Sequence, residues 1–439
     1  MQPARFEEPM SIIPGLLKNV SLPDVFPARQ VFPDDGIRDI PAAVAATLEN
    51  SGLAESLRGG EIAIGVGSRG IADIAVITRA VVSWFRNKKV TPFIVPCMGS
   101  HGGATAAGQI KVLAELGVTE ESAGCSIRSS MEVVRLGELD NGLPVYMDTH
   151  AWRADGVFVI NRVKAHTSFS GPNESGVIKM LTIGLGKQKG ADAAHMLGNH
   201  AFAAVMPAMA RMCMEKKAGI LGALALVENE RDHTCLAEAV PARNLEQRDA
   251  ELLVYAKSRM PSIPLGRMNM LIVDRLGKNI SGSGMDTNIT GRHGSSAKSG
   301  GPEVSRLVAL QLTPESKGNA TGVGMADIIP RGLADAINYE YTYANAITST
   351  NLAYVRRPMV LETEEDAVRC GLKTCLGTPG AISLVRIRDT LSVDKMLVSK
   401  PVADLLRNRE KCLVSATPVP WRFSADGELD KDIWDTAFK

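Results

Sequence analysis

The strongest constraint on this fold is a regular alternation of apolar runs, glycine-rich loops and helical segments that begins at Glu61. The run EIAIGV is followed by the loop GSRGI and an apolar helical segment, and the run TPFIVP is followed by MGSHGGAT and a second helical segment. This order is typical of a parallel sheet flanked by helices. The carboxyl ends of parallel strands share one sheet edge, so we expect Arg69 and His101 to face the same space.

The same alternation continues through the rest of the chain and predicts two domains. A third run, GVFVINRV, leads into a long loop and a helix that contains Lys179, and a new series starts at MNMLIVDRLG after the linker-like PSIPLG. The second series predicts helices near 326–338 and 394–407. Because 439 residues exceed what one core usually organises, we predict two α/β domains with largely parallel sheets flanked by helices, residues 1–263 and 264–439, with the active site in the interdomain cleft.

Composition excludes several classes of protein. The 49 basic and 48 acidic residues give a net charge of +1, so no global field attracts nucleic acid or an anionic membrane. No apolar run reaches the length of a membrane span, and the N-terminal segment lacks the pattern of a signal peptide, which predicts a cytoplasmic protein. The seven scattered cysteines indicate reduced thiols. We expect a small-molecule partner and leave the oligomeric state open, with a homodimer among the options.

Two histidines follow predicted strands in loops whose composition favours ligand binding and proton transfer. His101 lies in GSHGG, where the glycines allow close backbone approach to a ligand, and imidazole exchanges protons near neutral pH. His166 lies just past its strand and after Arg162 and Lys164, a cationic loop that suits a carboxylate or phosphate. The alternatives are a capping histidine at the first position and a solvated basic loop at the second.

Lys179 is the sharpest single feature of the sequence. It lies in SGVIKMLTIG without an acidic neighbour, and a lysine desolvated by such neighbours is available as a nucleophile or attachment point. The alternative is a helical lysine that reaches solvent. His195 follows sixteen residues later as a candidate metal ligand, and His200 is its rival.

These segments resemble the nickel-pincer lactate racemase family. The resemblance rests on GSRG, GSHGGAT, AHTSFSGPNESGVIKM and the spacing from Lys179 to GADAAH, and it covers about 130 residues of the first domain. It implies a nickel-pincer nucleotide, nickel pyridinium-3,5-bisthiocarboxylic acid mononucleotide, attached covalently at Lys179 with His195 as nickel ligand. It also implies His101 and His166 as the acid and base pair and Arg69 as a substrate-binding residue.

The implied reaction is that of an isomerase, a racemase or epimerase that removes and returns the Cα hydrogen of an α-hydroxy acid as hydride. The sequence departs from the family at Val66, where the family has an aspartate, and in the PNE inserted between His166 and Lys179. Lys278 matches a family lysine, but Arg275 precedes it where a glutamine is expected nearby. Lactate is therefore not the expected substrate, and Arg275 and Lys278 as substrate-binding residues indicate a larger or more acidic hydroxy acid.

Three alternatives stay open at the level of sequence. The first alternative function is that of a nickel-free mononucleotide-dependent oxidoreductase, and the second is that of a nonenzymatic protein that binds a carboxylate or the cofactor. The third alternative concerns one segment. The segment GMDTNITGR offers Asp286, Asn288 and Arg292 either as site residues or as a solvated loop.

Overall fold

The computed structural model describes residues 12–68, 70–375, 377 and 380–438. The chain divides into two compact units. The N-terminal unit is Pro33–Met260, and the C-terminal unit joins the described residues up to Phe32 to those from Pro261 onward. None of the described helices is both long and apolar enough to span a bilayer.

Strands and helices alternate along most of the chain. The strands are β1 (Val25–Gln30), β2 (Glu61–Val66), β3 (Thr91–Pro96), β4 (Val133–Glu138), β5 (Pro144–Asp148), β6 (Gly156–Arg162), β7 (Ile220–Glu228), β8 (Thr234–Pro241), β9 (Arg267–Leu276), β10 (Glu303–Leu312), β11 (Ile328–Pro330), β12 (Met359–Leu361), β13 (Leu384–Ile387), β14 (Lys395–Ser399) and β15 (Cys412–Val414). The α-helices are α1 (Ile13–Leu17), α2 (Ile40–Asn50), α3 (Ile74–Asn87), α4 (Ala106–Glu115), α5 (Glu120–Ala123), α6 (Thr149–Arg153), α7 (Val177–Lys179), α8 (Lys187–Met196), α9 (Gly198–Lys216), α10 (Leu245–Arg259), α11 (Thr287–Thr290), α12 (Arg331–Asp335), α13 (Tyr339–Thr348), α14 (Glu364–Thr374), α15 (Lys400–Leu406) and α16 (Ile433–Thr436). A π-helical turn, Met180–Gly184, follows α7 directly.

The N-terminal unit is built on a five-stranded sheet in the order β3-β2-β6-β7-β8. All neighbours are parallel except β7 and β8. The strands are apolar throughout because both faces are covered, and Ile64 and Phe158 are fully buried in the core under α2 and α3. The chain runs from β2 outward to β3 and then returns to β6 on the other side of β2, so the strand order reverses between β2 and β6.

The C-terminal unit is built on an eight-stranded mixed sheet in the order β12-β11-β10-β9-β13-β14-β1-β15. Its first five strands are parallel, and the last three are joined by antiparallel pairings. The buried residues Leu271, Val385 and Val398 belong to a core on one of its faces. The N-terminal strand β1 pairs with β14 and β15, which is why residues up to Phe32 belong to this unit rather than to the unit that follows them in sequence.

The predicted class, two α/β units with largely parallel sheets flanked by helices, is confirmed. Two helix predictions in the second unit are wrong in part. Residues 395–399 of the predicted helix 394–407 form β14, and residues 328–330 of the predicted helix 326–338 form β11. Both are short apolar runs, and a short buried strand cannot be told from a buried helical turn by its periodicity.

Candidate functional site

The candidate site lies at the carboxyl edge of the N-terminal sheet, where the strand order reverses. Ligands of open parallel sheets bind outside the strand ends at such a reversal. The loops after β2, β3 and β6 carry Ser68, His101 and His166 at this edge. The strand-end placement of both histidines, predicted from the apolar runs before them, agrees with the structure.

His101 is held by the neighbouring loop. Its backbone is extended, its side chain is exposed, and Nδ1 forms a hydrogen bond with Oγ of Ser68 from the loop after β2. Because a ring nitrogen can donate or accept, this bond fixes the orientation of the ring and leaves its tautomer open. Arg69, the predicted carboxylate ligand next to Ser68, lies outside the described residues.

His166 is held within its own loop. Its Nδ1 accepts a hydrogen bond of 3.0 Å from the backbone N–H of Ser168, so the neutral ring carries its proton on Nε2. Its backbone N–H donates to Oε2 of Glu174 at 2.6 Å. The cationic cluster predicted around it is partly neutralised, because Arg162 forms an ion pair with the buried Glu228.

The PNE segment that distinguishes this chain from the family it resembles anchors the His166 loop. Glu174 is fully buried, and its Oε1 lies 2.7 Å from Nζ of Lys257 on α10. Asn173 is buried beside it and donates to Oδ2 of Asp249 at 2.9 Å. The sequence marks this segment as an insertion but does not predict its burial, since an asparagine and a glutamate after proline are typical of an exposed turn.

Asp249 of α10 also sets the start of the helix that carries Lys179. Its Oδ1 accepts a hydrogen bond of 2.7 Å from the backbone N–H of Val177, the first residue of α7. Burial raises the pKa of Asp249 to about 6, against the opposing effect of its hydrogen bonds. The helix predicted to contain Lys179 therefore begins at Val177, the residue whose backbone N–H this carboxyl accepts from.

Lys179 ends α7 and is followed at once by the π-helical turn Met180–Gly184. π-helical turns are rare in proteins as a whole, and those that occur are often found at functional sites. The turn packs on the strand ends: Sγ of Cys97 lies 3.2 Å from the carbonyl oxygen of Met180, and the N–H of Gly99 donates to the carbonyl of Gly184 at 3.2 Å. The half-buried Lys179 is thus placed by the same loops that carry His101.

His195 lies near Lys179, at the end of α8. Burial lowers the pKa of His195, and the positive charge of Lys179 lowers it further against the opposing charge of Asp192. A neutral imidazole is the form that binds a metal ion. The electrostatic coupling brings together the two residues that the sequence linked only by their spacing.

An aromatic row connects His195 to His166. The ring centroids of His166 and Phe169 are 4.4 Å apart, those of Phe169 and Phe202 are 5.1 Å apart, and those of Phe202 and His195 are 5.1 Å apart. Both phenylalanines are buried. The row links the two imidazoles through a chain of consecutive ring contacts.

Replacing Lys179 with methionine should raise the pKa of His195. The variant removes a positive charge that disfavours the imidazolium ion, while burial continues to lower the pKa. Titration by NMR of histidine-labelled protein without cofactor measures the shift, and a His195→Gln variant assigns the signal. Lys189→Met, an exposed lysine on the same helix, serves as the control. An unchanged His195 pKa in Lys179→Met contradicts the coupling of the two side chains.

A buried polar network forms hydrogen bonds with the backbone of the His101 loop. Lys187 is 0% exposed, and its Nζ lies 3.3 Å from Oδ2 of Asp148 and 3.0 Å from Oε1 of Gln109. Nε2 of Gln109 donates to the carbonyl of Gly99 at 2.8 Å and to that of His101 at 3.3 Å. Lys187 has a positive φ of 54°, a backbone conformation that persists only where the surroundings fix it.

The remaining predicted residues belong to other elements of the chain. His200 is exposed on α9. Lys278 and Arg275 belong to the C-terminal unit, where Nζ of Lys278 donates to the carbonyl of Gly282 at 2.6 Å and to Asn345 at 2.8 Å.

The segment GMDTNITGR has a local structural role in the C-terminal unit. Asp286 caps α11 and accepts from both the backbone and the side chain of Asn288. Arg292 forms an ion pair with Asp327 at 2.6 Å. The segment is therefore not a simple solvated loop, because its polar side chains form hydrogen bonds and an ion pair within the C-terminal unit.

The chemistry of the donors can be compared with the implied cofactor. Within the part of the chain that the structure describes, no three His, Cys, Asp or Glu side chains form a metal-binding group. The site instead offers one imidazole beside one amine, His195 and Lys179. This pair fits a group that brings its own sulfur donors, because nickel accepts soft sulfur and imidazole nitrogen together.

Comparisons with known proteins give a distant structural likeness. No family model matches the chain, and no curated protein matches it. Among solved structures, it is similar to the lactate racemase apoprotein from Thermoanaerobacterium thermosaccharolyticum, with 14% identity and a TM-score of 0.47 over 78% of this chain and 90% of that one. It is also similar to the glycotransferase of kitacinnamycin, with 11% identity and a TM-score of 0.19 over 74% of this chain and 92% of that one.

Proposed function

We propose that this protein is an isomerase that racemises or epimerises an α-hydroxy acid, using a nickel-pincer nucleotide held by Lys179 and His195. The observation that carries the proposal is the pairing of these two residues beside His166 at the carboxyl edge of a parallel sheet. His195 is coupled electrostatically to Lys179 and joined to His166 by the aromatic row. His101 follows another strand of the same edge.

Lys179 and His195 are assigned to the cofactor. The amine of Lys179 would form the covalent attachment, and the neutral imidazole of His195 would be the nickel ligand. When bound, the pincer nucleotide would supply a reversible hydride acceptor for the Cα hydrogen of the substrate. Because burial lowers the pKa of His195, its imidazole stays neutral to a lower pH than that of a solvent-exposed histidine, so nickel should be retained in mildly acidic solution.

His101 and His166 are assigned to proton transfer at the substrate hydroxyl. Because either enantiomer can be the substrate, each of the two imidazoles is assigned to the hydroxyl proton of one enantiomer. The bond from Ser168 orients the ring of His166 and leaves its Nε2–H as a hydrogen-bond donor toward the substrate oxygen, so Nδ1 must release Ser168 before this ring can take up a proton. The bond to Ser68 orients the ring of His101. A cation must hold the carboxylate, and Arg69, Arg275 and Lys278 remain the residues proposed for it.

Incubation with a panel of α-hydroxy acid enantiomers in deuterated water tests the proposed reaction. Protein made in a host that synthesises the cofactor should interconvert the enantiomers of its substrate and retain the original hydrogen at Cα, because hydride does not exchange with solvent. Chiral chromatography with mass spectrometry measures both quantities. Deuterium at Cα of the product would indicate proton abstraction and contradict the hydride assignment.

The two histidines are tested by substitution. His101→Asn and His166→Asn should each lower kcat by about 10²–10⁴-fold, the range for loss of a general acid or base, while nickel stays bound. His200→Asn is the matched control, and His195→Asn should lose nickel. If neither His101→Asn nor His166→Asn changes turnover, the acid and base assignment is wrong.

The alternatives give different results in the same preparation. A nickel-free oxidoreductase would form a keto acid with net reduction of a nucleotide, and a binding protein would bind a carboxylate without turnover.

A further inference from the structure

The C-terminal unit has a strand reversal of its own. Strands β9, β10, β11 and β12 follow one another outward, and β13 then pairs with the other side of β9. In open parallel sheets, the crevice outside the carboxyl ends at such a reversal is the place where ligands bind. In this unit, that crevice is bordered by the residues that end β9 and those that follow β13.

Two arginines occupy this point. Arg275 is the penultimate residue of β9, and its backbone N–H donates at 2.9 Å to the carbonyl of Arg388, the residue that follows β13. Their guanidinium groups converge on one atom, since Nη2 of Arg275 and Nε of Arg388 each lie 3.2 Å from Oδ2 of Asp389. Nη2 of Arg388 also donates to Oγ of Ser392 at 2.6 Å.

The charges of this cluster do not balance. Asp389 is one carboxylate between two guanidinium groups, it is buried, and its other oxygen accepts from the backbone N–H of Leu391. The side chains of Arg275 and Arg388 are 42% and 45% exposed, so both remain accessible. Nε of Arg275 is buried and has no hydrogen-bond acceptor among the described residues. The nearby Asp286 carboxylate is engaged by Asn288.

We infer that Arg275 and Arg388 form a binding site for a small organic carboxylate at the strand reversal of the C-terminal unit. A guanidinium group is a planar fork that matches the two oxygens of a carboxylate, and Asp389 holds the two forks side by side. The sequence assigned a substrate role to Arg275 and Lys278 but not to Arg388. The pairing with Arg388 rests on strand order and charge, so it stands or falls apart from the chemistry proposed at Lys179.

Calorimetric titration of the full chain with malonate tests the inference. The wild type should bind malonate saturably and more tightly than inorganic phosphate at the same ionic strength. Arg275→Gln and Arg388→Gln should each weaken malonate binding by about 10- to 100-fold, the effect of losing a charge-assisted hydrogen bond. Arg388→Lys should weaken it as well, because an ammonium group keeps the charge but not the fork.

The matched control is Arg267→Gln, an exposed arginine at the start of β9, which should leave malonate binding unchanged. Circular dichroism verifies that each variant is folded. Absence of saturable malonate binding by the wild type, or equal affinities of the wild type and both glutamine variants, overturns the site. Phosphate binding as tight as malonate binding overturns the assignment to a carboxylate.

Discussion

Replacing Lys187 with methionine should lower the free energy of unfolding of the N-terminal unit by about 3–5 kcal/mol, the range for breaking a buried ion pair on one side. The ammonium group of Lys187 is fully buried and contacts the carbonyl of Pro96 at 2.5 Å in addition to Gln109 and Asp148. Methionine fills most of the volume but leaves the Asp148 carboxylate buried without its cation. Urea denaturation followed by far-UV circular dichroism measures the change.

The double variant Lys187→Met/Asp148→Asn separates the cost of the unpaired charge from that of lost packing. An asparagine at position 148 is neutral and keeps an oxygen for the backbone N–H of Ala151, which Asp148 caps at 2.9 Å. It should therefore recover part of the stability lost in Lys187→Met. Lys189→Met, two residues along the same helix and exposed, should change stability by less than about 0.5 kcal/mol. A loss in Lys187→Met as small as that in Lys189→Met contradicts the structural role of the ion pair.

The sequence predicted the elements of the N-terminal unit because each has a long and distinct pattern. The runs EIAIGV and TPFIVP coincide with β2 and β3, and the helical segment predicted after the loop GSRGI is α3. The antiparallel strands were harder to predict. The strand β14 lies beside a helix with apolar residues continuing through both, and β1 lies in a proline-dotted segment whose pairing partners are over 360 residues away. Such pairings depend on tertiary contacts that no local pattern contains.

In the candidate site too, some residues were predictable from local sequence patterns and others were not. His101 and His166 were placed correctly at strand ends because glycines and apolar runs mark those loops. Lys187 could not be identified, since GLGKQKG looks like a solvated, glycine-rich turn and only the fold shows that its ammonium group is buried. Arg388 was missed for a related reason. It is one cation in a charged segment, RIRDT, until the sheet places it beside Arg275.

Replacing Lys179 with alanine should remove the cofactor and abolish turnover. If the pincer is attached through this amine, intact mass spectrometry of wild-type protein from a cofactor-producing host shows an adduct, and the variant shows only the mass of the chain. Metal analysis should fall from about one nickel per chain to background, because the single imidazole of His195 is a weak site without the sulfur donors. Lys189→Ala, the exposed lysine on α8, should keep both the adduct and the nickel.

Lys179→Arg distinguishes attachment from electrostatics. Arginine keeps the positive charge beside His195, so the pKa of that imidazole should stay lowered, whereas it rises in Lys179→Met. The guanidinium group is not a nucleophile at neutral pH, so the adduct should be absent in the arginine variant as it is in the alanine variant. Loss of the adduct with a retained His195 pKa then assigns Lys179 to attachment. An adduct of unchanged mass in Lys179→Ala would place the attachment at another residue and remove the main support for the proposed cofactor.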